Sequence, residues 1–122
     1  MRILFVDDEE LMRNVSIRLL KRRGHIVDTA SDGDDAYEKF MKEPYDLLVC
    51  DIVMPRLTGI ELAKSVLLKY PETGVLLISG YSFDQLNDAE ELSGKTVFLQ
   101  KPYSNEDLQR TMDEAFQMNQ KK

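Results

Sequence analysis

Five short runs rich in Val, Ile and Leu lie at residues 2–6, 26–30, 46–50, 74–78 and 96–100. Each is followed by a segment whose apolar residues recur every three or four positions, near residues 10–23, 34–42, 59–69, 84–92 and 105–118. That spacing is the period of an amphipathic helix. The alternation predicts a (βα)5 chain of the α/β class: a doubly wound, five-stranded parallel sheet with helices on both faces. The first, third and fourth runs lack a polar alternate face, which predicts central strands.

Helix ends carry their own chemistry. Gly24 is placed to close the first helix, Thr58 to cap the third, and Ser104 with Asp107 to form a capping box on the fifth. Leu11, Val15 and Leu19 make one apolar stripe, and Leu108, Met112, Ala115 and Phe116 another. Both stripes are expected to pack into the core. Between Ser82 and Ser93 only Phe83, Leu86, Ala89 and Leu92 interrupt a polar segment, which is expected to be the least stable helix. The polar residues from Gln117 to Lys122 are expected to fray.

The chain has 122 residues, 43% of them apolar, enough for one core and not for two. A single domain over residues 1–118 with a polar tail at 119–122 is expected, with no second domain. A net charge of -6 and a pI near 4.8 disfavour binding to nucleic acid or anionic lipid. The basic runs Lys21-Arg22-Arg23 and Lys121-Lys122 read as solvated helix ends. A lone cysteine, Cys50, excludes an intrachain disulfide and a thiolate zinc site, and reads as a small buried hydrophobe. With no signal-peptide pattern and no apolar run of about 18 residues, a cytoplasmic location off the membrane is expected.

Chemistry gathers at the downstream ends of the runs: Asp7-Asp8 after the first, Asp51 after the third, Ser79-Gly80 after the fourth, Lys101-Pro102 after the fifth. In a parallel sheet those ends share one edge, so four sequence-distant stations converge on one crevice. Glu9 and Glu10 read as dipole partners of the first helix. Three carboxylates within about 5–6 Å would repel pairwise by about 3 kcal/mol at an effective dielectric near 20. A divalent cation is the simplest compensation, and oxygen donors without a His/Cys cluster point to Mg²⁺. A carboxylate beside such a site can act as a nucleophile toward phosphorus, and Asp51 is the best placed. Lys101 and Ser79 would supply charge and a hydroxyl to the transferring group.

These residues resemble the receiver domain of two-component response regulators. The resemblance runs from about residue 2 to 118 and rests on Val6-Asp7-Asp8-Glu9, Asp51-Ile52-Val53-Met54-Pro55 with Thr58-Gly59, Ser79-Gly80 and Lys101-Pro102-Tyr103. It implies a flavodoxin-like three-layer sandwich with strand order 2-1-3-4-5. It implies a phosphorylation-activated switch in which Asp51 accepts phosphate from a sensor histidine kinase or a histidine phosphotransfer protein, assisting only its own phosphorylation and dephosphorylation. Asp8 would bind Mg²⁺ directly, Asp7 largely through water, and the Val53 carbonyl would complete the protein ligands with Asp51. Lys101 would pair with the phosphoryl group, Ser79 would hydrogen-bond it, and the Lys101-Pro102 peptide would be cis.

The implied output is a shift of Ser79 and of an aromatic on the last strand, here Phe98, that remodels the face of the fourth helix, fifth strand and fifth helix. Many relatives carry tyrosine in place of Phe98, so a readout through that hydroxyl is not available here. The signal would pass to a downstream effector domain or protein, or to a phosphorylation-dependent homodimer; free-standing and multidomain arrangements both fit. Val53 and Tyr81 flank the acceptor, and an apolar Val53 cannot orient an attacking water, so slow self-dephosphorylation is expected.

Three rival readings fit less well. A haloacid-dehalogenase-type phosphatase would carry its nucleophile on the first strand as Asp-x-Asp, where this chain has Glu9 two places after Asp7. A flavodoxin-like cofactor carrier needs a hydroxyl- and glycine-rich first loop, and this one is acidic. A pseudo-receiver that only docks would not need every group the chemistry requires. His25, at the start of the second run, reads as a surface residue.

Overall fold

The computed structural model describes residues 1–54, 57–81, 92 and 94–120. Five parallel strands form one sheet in the order β2-β1-β3-β4-β5: β1 (Arg2–Val6), β2 (Ile26–Ala30), β3 (Leu47–Asp51), β4 (Gly74–Ser79) and β5 (Val97–Gln100). Among the described residues four helices connect or follow them: α1 (Glu10–Arg22), α2 (Gly33–Lys42), α3 (Gly59–Lys69) and α4 (Asn105–Gln120). The helix predicted at 84–92, with Phe83, Leu86 and Ala89, lies outside the described residues, as do Pro55 and Lys121-Lys122. Leu92 is described and buried.

Side-chain alternation along each strand builds two cores. Ile3, Phe5, Leu47, Val49, Leu76 and Ile78 point to one face and meet Leu20 of α1 with Leu108, Met112 and Ala115 of α4. Leu4, Val6, Leu48, Cys50, Val75 and Leu77 point to the other and meet Ala36 and Phe40 of α2 with Ile60, Leu62, Ala63 and Val66 of α3. The result is the three-layer sandwich. β3 and β4 are buried along their whole length and β1 from its second residue on, whereas the edge strands β2 and β5 each expose part of theirs. Cys50 is a free, fully buried thiol.

The expected helix signals are in place. Gly24 follows α1 with φ of 87°, a conformation glycine adopts without strain. Thr58 and Glu61 form a reciprocal capping box. The amide of Asp107 donates to Ser104 Oγ (3.0 Å) and that of Ser104 to Asp107 Oδ2 (3.3 Å). Asp32 caps α2, a role not anticipated above.

Two expectations are corrected. Leu11 is 75% exposed and Val15 56%, so the α1 stripe does not enter the core as a unit; only Leu19 packs against it. A four-residue step overshoots a helical turn by about 40°, and α1 faces inward through Ser16 and Leu20. The stripe therefore winds off the buried face toward Leu11. At the other terminus α4 continues through Gln120 where fraying was expected. Asn119 is buried and its Nδ2 donates to the carbonyls of Thr73 (2.8 Å) and Lys95 (2.9 Å). Among the described residues, no helix is long and apolar enough to cross a membrane.

Candidate functional site: an acidic crevice at the carboxyl edge of the sheet

Strand register brings the four stations together. Val6 pairs with Cys50, so Asp7 and Asp51 are the next residues on neighbouring strands. Asp51 pairs with Ile78, one residue before Ser79, and Ser79 pairs with Gln100, one residue before Lys101. Adjacent strands lie about 4.8 Å apart, so each station stands beside the next.

Asp7, Asp8 and Asp51 each offer a carboxylate oxygen, and these oxygens all lie within 4.8 Å of one another. Asp7 and Asp51 are buried while Asp8 is exposed, which leaves the cluster open on one side. Lys101 Nζ donates to Asp51 Oδ2 at 2.8 Å, and the Val53 amide donates to Asp51 Oδ1 at 3.2 Å. The Glu9 amide donates to Asp7 Oδ1 at 2.9 Å. The Ser79 hydroxyl, fully buried, accepts from the Tyr81 amide at 3.0 Å. The Lys101 amide donates to the Ser79 carbonyl at 2.8 Å, and the following Lys101-Pro102 peptide is cis.

Electrostatics follow from this packing. Burial pushes the Asp7 carboxyl up, the Glu9 amide partly opposes that, and the charge of Asp51 adds to it. Burial pulls the Lys101 ammonium down, but its bond to Asp51 and the charges of Asp51, Asp7 and Glu9 outweigh burial and hold it above the ordinary lysine value. Burial also raises the Cys50 thiol well above its usual range, with smaller contributions from Asp51 and Asp7. That sulfur is a packing atom.

The donor set fits a hard divalent cation. All three side chains offer carboxylate oxygen, no sulfur or imidazole joins them, and the exposed side has room for water or a substrate oxygen. Four of the residues singled out in the sequence, Asp7, Asp8, Asp51 and Lys101, thus form one cluster. Val53 and Tyr81, 55% and 56% exposed, flank it. Phe98 lies elsewhere, half-buried on β5 against the core beneath α2 and α3. His25 sits before β2, at the opposite end of the strands.

One neighbour escaped the sequence reading. Arg13 reaches back from α1 and its Nη1 donates to the Asp7 carbonyl at 2.7 Å. Its only signal in the sequence is a basic residue soon after an acidic helix start.

Comparison with known proteins places this arrangement. Residues 3–113 match the response regulator receiver domain, and the chain belongs to that family of signalling domains. It is 35% identical over 107 residues to the response regulator receiver protein CpdR of Brucella abortus, covering 88% of this chain and 89% of CpdR. It is 32% identical to part of the sensor kinase CckA of the same organism, covering 94% of this chain but 12% of CckA. Among solved structures, the response regulator TrrA of Thermotoga maritima, crystallised with Mg(2+)-BeF, superposes with a TM-score of 0.82 at 30% identity, covering 93% of this chain and 97% of TrrA. The chemotaxis protein CheY4 of Vibrio cholerae gives 0.83 at 30% identity over the same shares.

Proposed function

We propose that residues 1–118 act as a phosphorylation-driven switch in which Asp51 is the phosphoacceptor. The observation that carries this reading is the Lys101 ammonium, 2.8 Å from Asp51 Oδ2 amid three carboxylates. One oxygen of Asp51 forms the new O–P bond as the P–N bond of a phosphohistidine breaks, its electron pair remaining on the imidazole nitrogen. Asp7, Asp8, Asp51 and the Val53 carbonyl would hold Mg²⁺, which when bound supplies positive charge toward the phosphoryl oxygens. Lys101 needs only to pass from the carboxylate to a phosphoryl oxygen. The Ser79 hydroxyl accepts from Tyr81 and so keeps its own proton to donate. An exposed Val53 offers no group to orient water, which favours a long-lived acyl phosphate.

The phosphodonor is a sensor histidine kinase or a histidine phosphotransfer protein. Support comes from the outward-wound apolar residues of α1, since Leu11 and Val15 lie exposed within two turns of Asp8. Readout passes through Ser79 and Phe98 to the surface around β5 and α4, and from there to an effector or a second copy of the chain. The balance of charge disfavours direct nucleic-acid contact, and the domain works in the cytoplasm.

Incubation of the protein with acetyl phosphate and Mg²⁺ tests the central claim. Intact-mass spectrometry should gain one phosphoryl group, and Asp51→Asn should abolish the gain. A parent protein that stays unmodified would make this a docking module without phosphoryl chemistry.

A further inference from the structure

Among the described residues, the loop that carries Asp7 and Asp8 is tied at three points. Asp7 N donates to the Ala30 carbonyl at 3.3 Å, Asp7 Oδ1 accepts from the Glu9 amide at 2.9 Å, and Asp7 O accepts from Arg13 Nη1 at 2.7 Å. The first two ties are local to the strand end and the turn. Only the third links the loop to the body of a helix, and it is the shortest.

Among the described residues two cations therefore border the carboxylate cluster, and they bond differently. Lys101 takes an oxygen of the acceptor carboxylate itself. Arg13 takes a peptide oxygen and, among the described residues, forms no ion pair. A guanidinium that gripped Asp7 or Asp8 by its carboxylate would compete with a metal for the same lone pairs. Bonded to the carbonyl, it orients the loop and leaves those oxygens available. The half-buried, charge-assisted geometry makes this a stiff restraint, and holding ligands in place beforehand reduces the ordering that metal binding must otherwise impose.

We infer that Arg13 is a positioning residue for the metal-binding loop, raising cation affinity by fixing Asp7 and Asp8 without touching the phosphoryl group. The inference rests on the reading of Asp7, Asp8 and Asp51 as a Mg²⁺ site. Arg13→Met keeps the aliphatic stem and removes the donor; Arg13→Lys keeps a charged donor on a similar reach. Mg²⁺ affinity would be measured by titration calorimetry, and phosphorylation by acetyl phosphate followed as a function of Mg²⁺.

The methionine variant should weaken Mg²⁺ binding about tenfold, while its phosphorylation rate at saturating Mg²⁺ stays within twofold of the parent. The lysine variant should recover most of the affinity. A methionine variant with unchanged Mg²⁺ affinity overturns the inference, and so does a rate defect that persists at saturation. A parent protein that binds no Mg²⁺ takes down the reading of the site and the inference together. Parent binding with an indifferent methionine variant takes down the inference alone.

Discussion

The same five strands end in two different electrostatic worlds. At their amino ends charges are matched: Arg2 pairs with Glu43 at 3.0 Å, its amide meets Asp46 Oδ2 at 2.8 Å, and its guanidinium lies 4.9 Å above the Tyr45 ring. Tyr45 in turn donates to Asp28 at 2.7 Å, and burial followed by that bond pushes its hydroxyl up to about 12. Asn119 closes the same end by tying α4 to the turns before β4 and β5. At the carboxyl ends, among the described residues, three carboxylates share one paired ammonium. One end spends its polar groups on holding the sheet together; the other gathers carboxylates into one cluster. Such an imbalance persists where a ligand or a reaction relieves it.

The contrast yields experiments that separate chemistry from stability. The largest effect belongs to Lys101→Met, which removes the only described ammonium on Asp51 and should slow phosphorylation by acetyl phosphate about 100-fold at saturating Mg²⁺. A loss smaller than threefold would mean that the carboxyl edge does not depend on this cation.

Next comes Asn119→Ala at the opposite end. It strands two carbonyls that the amide now serves, and chemical denaturation should report a loss of about 1–3 kcal/mol. Phosphorylation should stay within twofold, and a larger drop would erase the division between the two ends.

The smallest effect is the most diagnostic. Asp7→Asn should raise the melting temperature by about 2–6 °C without divalent cations, since one buried repelling charge is gone, and should weaken Mg²⁺ binding. Its sign also shows in pH. Folding raises the Asp7 pKa above its ordinary 3.8, so between that value and the raised one the native state holds more protons than the unfolded state. Asp7's contribution is full below 3.8 and is lost as pH rises through the folded value. Melting curves of the parent should carry that downward component as pH rises above 3.8, and the asparagine variant should lack it. Identical profiles would show that the Asp7 charge is not under strain.

Much of this was legible in the chain before any coordinates. Uninterrupted Val/Ile/Leu runs marked β1, β3 and β4 as central, because only strands covered on both faces dispense with a polar side. Register then did the rest, since stations one or two residues past the last apolar position of neighbouring strands must stand close together. What stayed hidden depended on rotation and on long reach. The stripe at Leu11, Val15 and Leu19 looked like a core face, yet helical drift turns Leu11 outward. Asn119 looked like part of a loose polar end, but its amide meets two carbonyls contributed by distant turns. Arg13 gave only a faint cue, a basic residue soon after an acidic helix start, because a side chain bonded to a backbone oxygen leaves no paired charge in the sequence.

Gly59 adds a mechanical corollary. A Cβ at that position would lie 2.5 Å from the Asp51 carbonyl oxygen and 2.8 Å from the Ile52 Cα, so the first residue of α3 rests on the main chain of Asp51 and Ile52 with no side chain between them. Contacts made through side chains can absorb a small displacement by changing rotamer; bare backbone against backbone cannot. A tilt of the peptide at Asp51 would therefore press directly on the head of α3.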